Sequence, residues 1–233
     1  MKRSQINRII RDANAFLERM NFKLPPFAHW TPAQWRRRGP ECQDIPRQHL
    51  GWDITDFGSG DFKKVGLFLF SVRNGTQAQI KAGDGKTYAE KVLIVREKQI
   101  TPCHTHFFKT EDIINRGGGE LVIQLWGDRG NHRPDRRGAV EVKRDGVSVK
   151  VKAGGTIRLS PGESVTLTPK HFHKFWGAKG KGTVLVGEVS RVNDDTTDNN
   201  FVPPCGRFPE IVEDEAPLRL LVGDYPKYYR HGG

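Results

Sequence analysis

Pro102-Cys103-His104-Thr105-His106-Phe107-Phe108-Lys109-Thr110-Glu111, running on to Gly117-Gly118-Gly119, is the stretch from which the rest of the chain is read. A strand-like run, Val92 to Ile94, precedes it, and Leu121-Val122-Ile123 follows it. Side chains alternate along an extended chain, so His104 and His106 share a face if residues 103–106 are extended. Two imidazoles side by side and a carboxylate a few residues on, Glu111, make three ligands for a divalent transition metal. The plainer alternative is two surface histidines and an unrelated Glu, and a later stretch weakens it.

That stretch is Pro161-Gly162-Glu163-Ser164-Val165-Thr166-Leu167-Thr168-Pro169-Lys170-His171-Phe172-His173-Lys174-Phe175-Trp176. A Pro-Gly turn leads into a strand that ends at a second histidine pair. His171 and His173 also share a face if extended, and one of them can complete a His-His-Glu-His set with His104, His106 and Glu111. Such a set leaves two octahedral positions open for substrate oxygens or water. It suits Mn²⁺, Fe²⁺, Ni²⁺ or Zn²⁺.

Outward from these stretches the pattern is of short strands. Val65 to Val72 is continuous and apolar, as a buried strand would be. Asn74-Gly75 is a turn signal leading into Ala78 to Lys81 as a strand, and Asp145-Gly146 is a hairpin turn. Glu90 to Arg96, Gly119 to Trp126, Ala139 to Lys143, Val147 to Val151, Thr156 to Leu159, Glu163 to Thr168, Gly182 to Val189 and Leu218 to Val222 are the other candidates. Many short strands separated by Gly, Pro, Asn and Asp predict an all-β barrel or double-sheet sandwich.

The N-terminal part differs. Ile6, Ile9, Ile10, Ala13, Phe16, Leu17 and Met20 form one apolar stripe of a helix, with Ser4 as N-cap. That helix should lie on a sheet or on a partner subunit. Thr31 and Pro32 start a second helix. Gly51-Trp52-Asp53-Ile54-Thr55-Asp56-Phe57-Gly58 has no helical stripe. It reads either as a structured loop under a barrel mouth or as a place where Trp52 and Asp53 meet a ligand. The expected organisation is an N-terminal extension over 1–60, a β-barrel over 61–224 and a C-terminal tail over 225–233.

Composition narrows the function classes. The formal net charge is +11 over 233 residues. Its basic runs, Arg36-Arg37-Arg38 and Arg129 to Arg137, lack interleaved aromatics, so no nucleic-acid partner is expected. No apolar run approaches the ~18 residues of a membrane span. The three cysteines, Cys42, Cys103 and Cys205, form neither a zinc spacing nor a disulfide framework. With an amphipathic start and no signal core, a cytoplasmic location is expected.

These residues carry a family resemblance. The first cupin motif places His-x-His ahead of a Glu and then a Gly, and His104, His106, Glu111 and Gly118 fit it. Lys98 stands where the motif has its first Gly. In the second motif Gly162 and His173 fit, while Thr168, Lys170 and Gly177 depart from it, and this frame favours His173 over His171. Over most of its length the chain resembles the D-lyxose isomerase family of cupins. The carriers are Phe22 to Phe27, Gly51 to Gly58, Tyr88 to Lys91, Lys109 to Gly119 and Gly187 to Asp195. The resemblance implies a jelly-roll β-barrel with an N-terminal helical extension and a Mn²⁺-dependent aldose–ketose isomerase acting on free monosaccharides, usually as a homodimer. It implies His104, His106, Glu111 and His173 as metal ligands, and Lys91 and Glu111 as acid–base residues.

The chemistry agrees with such a set. Moving a hydrogen between C1 and C2 of a sugar needs a base, an acid at the oxygens and stabilisation of enediolate charge. Glu111 suits the base. Lys91, Lys109, Glu188 and Asp194 or Asp195 are candidates for contact with sugar oxygens, beside Trp52 and Asp53. Co²⁺, Fe²⁺, Ni²⁺ or Zn²⁺ are possible replacements for Mn²⁺. The rival readings are a dioxygenase or oxalate-type cupin, a non-catalytic sugar-binding cupin and a phosphosugar isomerase, the last without a compact phosphate loop.

Overall fold

The computed structural model describes residues 1–130 and 132–231. Among the described residues, thirteen strands form two sheets. They are β1 (Gly51–Thr55), β2 (Leu67–Arg73), β3 (Tyr88–Val95), β4 (Thr101–Thr105), β5 (Glu111–Gly118), β6 (Leu121–Gly127), β7 (Ala139–Arg144), β8 (Val147–Lys152), β9 (Thr156–Leu159), β10 (Ser164–Leu167), β11 (His171–Gly177), β12 (Val184–Arg191) and β13 (Asn200–Phe201). The eight-stranded sheet has the order β1-β2-β3-β12-β5-β10-β7-β8, and the five-stranded sheet β13-β4-β11-β6-β9. The strand pairs within both sheets are antiparallel. The helices are α1 (Arg3–Arg19), α2 (Pro32–Trp35), α3 (Asp44–Arg47), α4 (Gln77–Ala82) and α5 (Tyr225–Tyr228).

Alternation along the strands produces two apolar layers. Leu67 and Leu69 of β2, Leu93 and Val95 of β3, and Val184 and Val186 of β12 meet Leu121, Ile123 and Leu159 between the sheets. The intervening residues, Phe68 and Phe70, Val92 and Ile94, and Leu185, face the other way and pack on Ile6, Ile10, Phe16 and Leu17 of α1. Covered on both faces, β2 has no polar face and reads as one apolar run. The stripe of α1 therefore lies on the chain's own sheet. Each fully buried Leu, Ile or Phe contributes roughly 1.5–3 kcal/mol.

Several expectations change in the fold. The barrel is two facing sheets, with β1 and β8 at the edges of one and β13 and β9 at the edges of the other, and no hydrogen-bonded ring closes them among the described residues. Residues 51–55 are strand β1, paired with β2, so the 1–60 segment supplies part of the large sheet. Residues 78–81 lie in α4, because the Thr76 side chain and Gln79 form a capping box that starts a helix there. Residues 218–222 form no strand; Leu221 makes only an isolated bridge to Trp52. Residues 225–231 are no loose tail. Tyr225, Tyr228 and Tyr229 are buried against Trp35, and residues 232–233 lie outside the described residues.

Ser4 is not the cap of α1. The helix starts at Arg3 with Lys2 at the N-cap, and Asp214 accepts from both the Ser4 N–H (2.9 Å) and the Ser4 hydroxyl (2.7 Å). The cap thus comes from the far end of the chain. Arg3, fully buried, donates to Glu213 and Asp224 and closes the same clasp. Lys98, standing where the motif has Gly, has φ 58°, so the left-handed turn is kept with a lysine in it. At Gly118 (φ 87°) a Cβ would sit 2.3 Å from the Thr183 carbonyl oxygen, which explains that glycine.

Candidate metal centre

His104 lies on β4, His106 one residue past its end, and His173 on β11, all in or beside the five-stranded sheet. Strand pairing sets His173 directly opposite His104, with ring centroids 4.2 Å apart. Glu111 opens β5 in the other sheet. The four ligand atoms lie within 4.8 Å of one another and all four residues are buried. Two sheets thus converge three imidazoles and one carboxylate between them.

The orientation of each ring suits metal binding. His104 Nδ1 lies 2.8 Å from the Pro102 carbonyl oxygen, His106 Nδ1 2.7 Å from that of Asp198, and His173 Nδ1 3.2 Å from that of His171. A carbonyl only accepts, so each Nδ1 carries the proton and each Nε2 presents a lone pair. His106 Nε2, His173 Nε2 and Glu111 Oε1 are buried without a hydrogen-bond partner among the described residues. Glu111 Oε1 is 3.4 Å from His106 Nε2 and 3.2 Å from His173 Nε2. Buried polar atoms seldom stay unpaired, and acceptors converging on one point fit a cation. Burial, together with the neighbouring His173 and His106, holds His104 well below the ordinary imidazole value, so it stays neutral and able to ligate.

Asp198 fixes one edge of this centre. Its carbonyl accepts from His106, and its carboxylate accepts from the backbone N–H groups of Phe107 and Phe108, both at 2.8 Å, and of Lys109 at 3.1 Å. It locks the turn that carries His106 to Lys109.

A chain of alternating charges leads away from the ligands. Lys109 Nζ is 2.9 Å from Glu111 Oε2 and 2.7 Å from Glu188 Oε1. Lys91 Nζ is 3.6 Å from the same Glu188 oxygen and 3.4 Å from Asp195 Oδ1. Arg207 Nη2 joins Asp195 Oδ2 at 3.1 Å to Asp53 Oδ2 at 2.6 Å. Asn193 Oδ1 accepts from Lys91 at 2.7 Å and Lys109 at 3.2 Å. Burial alone would raise the Glu111 carboxyl, but the Lys109 charge and the two histidines outweigh it and hold Glu111 well below the carboxylate range. Burial likewise opposes the Lys109 ammonium, and Glu111 and Glu188 overcome it, leaving Lys109 raised. Asp195 is held well below its ordinary value by Lys91 and Arg207 against the burial that would raise it. The four carboxylates and three cations of this chain leave one net negative charge, which a divalent cation reverses.

Lys91, Lys109, Glu111, Glu188 and the three histidines line one cavity with Asp195 and Arg207. Three sequence candidates fall elsewhere. Trp52 faces α1 because β1 alternates; its indole N–H donates to the Ala28 carbonyl and its ring packs on Phe68 and Phe70. Asp53, its neighbour, points to the other side and reaches the cavity wall only through Arg207. Asp194 folds back on the hydroxyls of Thr196 and Thr197, and its neighbour Asp195 lines the cavity. His171 lies outside the ligand set, its Nδ1 accepting from the Thr168 N–H at 3.0 Å. Asn193, Asp198 and Arg207 carried no signal of their own in the sequence; Asn193 meets Lys109 across 84 residues, Asp198 meets Phe107 across 91, and Arg207 meets Asp53 across 154.

Fold and site together define a cupin-like double-sheet protein with a buried three-histidine, one-glutamate centre. The family model for D-lyxose isomerase matches residues 1–225, and the chain belongs to that family. The chain is 46% identical to a D-lyxose/D-mannose isomerase of Serratia proteamaculans, over 98% of this chain and 99% of that one. It is 44% identical to one of Escherichia coli O157:H7, over 98% and 100%. Among solved structures, L-ribose isomerase of Cellulomonas parahominis with L-ribose superposes with a TM-score of 0.59 at 16% identity, covering 91% of this chain and 98% of that one. At that identity the likeness concerns the fold.

Proposed function

We propose that the chain isomerises D-lyxose to D-xylulose and, more slowly, D-mannose to D-fructose, with one divalent ion held by His104, His106, Glu111 and His173. The observation that carries this reading is the set of buried, unpartnered ligand atoms at one end of a cavity lined by two lysines and a second glutamate. Lyxose and mannose share their configuration at C2 and C3, and a site that reads those centres strictly tolerates an added carbon beyond them. When bound, the ion supplies Lewis-acid stabilisation of negative charge on the sugar oxygens. Mn²⁺ is the expected ion. A homodimer in the cytoplasm is the expected state, and mass in solution and cell fractionation check it.

The chain's residues account for the protons. Glu111 takes the C2 proton, exchanges it with solvent and delivers a proton to C1. One cavity ammonium, Lys109 beside Glu111 or Lys91 beside Glu188, gives a proton to O1, and the amine this leaves takes the proton from O2, restoring the ammonium. The enediol forms and collapses with no net gain or loss of protons. A specific observation favours a second assignment of the base. Glu111 Oε1 is turned to the histidines as a candidate metal ligand and Oε2 is paired with Lys109, whereas Glu188 meets both lysines through Oε1 alone.

Turnover of a panel of aldoses by the metal-loaded protein and its Glu111→Gln and Glu188→Gln variants tests both. Loss of the base should lower kcat by roughly two to four powers of ten. D-lyxose is expected to be the best substrate, and no ketose from any aldose would overturn the reading. Full activity under argon is expected, since isomerisation consumes no oxygen.

A further inference from the structure

We propose that Arg207 determines specificity for the far end of the sugar, its Nη1 donating to a hydroxyl beyond C3 of the open chain. The inference rests on the isomerase reading above and adds a subsite to it. Arg207 lines the cavity, and its side chain is only 10% exposed. Its Nη2 is used on Asp53 and Asp195. Its Nη1 is buried with no hydrogen-bond partner among the described residues. An orphaned guanidinium donor is rare in a folded protein, and beside a ligand cavity it points to an acceptor that the ligand brings.

Position decides which part of the ligand. From the ligand glutamate the contacts run Glu111, Lys109, Glu188, Lys91, Asp195, Arg207 in that order. Arg207 is the last of these to line the cavity, and its side-chain partners among the described residues are Asp53 and Asp195, not Glu111 or the histidines, which assigns it to the end of the sugar away from C1 and C2. A monosaccharide offers only hydroxyl oxygens at its far end, and such an oxygen accepts from an N–H. The guanidinium is also preset. Asp53 on β1 and Asp195 in the loop after β12 grip one nitrogen, and the Phe208 ring lies 5.0 Å from its Cζ. A planar fork so held has a fixed direction for Nη1, which a lysine in its place would lack.

The test is Arg207→Lys, which keeps a positive charge between the two aspartates and removes Nη1. kcat/KM is measured for metal-loaded wild type and variant on D-lyxose, 4-deoxy-D-lyxose and 5-deoxy-D-lyxose, with metal content determined for both. Wild type is expected to disfavour one deoxy sugar by about 10–100-fold, chiefly through KM. The variant is expected to lose that discrimination and keep its metal. An equal loss on all three sugars, with discrimination retained, makes Arg207 structural only and overturns the inference. If the variant does not fold, wild type decides alone: equal kcat/KM on the three sugars also overturns it. Wild type that turns over no aldose overturns the isomerase reading itself.

Discussion

At the scale of single residues, Asp198 is the support whose loss should be felt at the metal rather than in the fold. Asp198→Asn keeps an acceptor for the Phe107 and Phe108 N–H groups and loses the one for Lys109. Metal affinity should fall roughly 10-fold or more, as is usual when a group that orients a ligand is changed; titration of the stripped protein with Mn²⁺ measures it, and unchanged affinity would assign Asp198 to the turn alone. Lys98 offers a test of opposite sign. A lysine at φ 58° is strained, so Lys98→Gly should raise the melting temperature by about 1–4 °C. The grouping of His104, His106 and Glu111 was legible because spacing and strand alternation are local rules, whereas alternation alone left His171 and His173 equivalent. Arg207 was not legible, because it meets Asp53 across 154 residues, and nothing local marks such a partner.

At the scale of elements, α1 is held by its apolar face and by a clasp at its start. Ile10 is fully buried in the helix–sheet layer, so Ile10→Ala should cost roughly 2–5 kcal/mol in denaturant unfolding. The clasp gives a pH dependence. Its hydrogen bonds to Arg3 lower the Glu213 carboxyl below its ordinary value. A lowered carboxyl stabilises the fold above its unfolded pKa of about 4.3, and that contribution is lost as pH falls through the lower folded value. Thermal melts between pH 6 and pH 3 should therefore show a loss that is smaller in Glu213→Gln; the same loss in both would remove the clasp from the acid response. Glu213 is 41% exposed at its side chain, so the cost of that substitution at neutral pH should be no more than about 1 kcal/mol. The stripe of α1 was readable from its 3.6-residue period. The cap was not, because Asp214 supplies it from the other end of the chain. Residues 78–81 were read as strand from the Asn74-Gly75 turn, and the Thr76–Gln79 capping box prevailed over that signal.

At the scale of the whole molecule, two sheets converge three buried imidazoles and a carboxylate that could hold a metal ion, beside a network of buried charges. The short-strand pattern gave the double-sheet class, while sheet order and the inward side of each strand depend on pairings such as β12 with β3 and β5 that no local pattern encodes. A cation that binds only the folded chain stabilises it by mass action. At a hundredfold excess over Kd the gain is about 2.7 kcal/mol, or roughly 5–11 °C in melting temperature for a chain of this size. The most direct measurement of the central claim is D-xylulose formation from D-lyxose, followed by NMR in D₂O, for the protein stripped of metal and then reloaded with Mn²⁺. The account predicts no turnover when stripped, restored turnover on reloading and deuterium at C1 of the product; full turnover by the stripped protein, or no D-xylulose from the reloaded one, would contradict it.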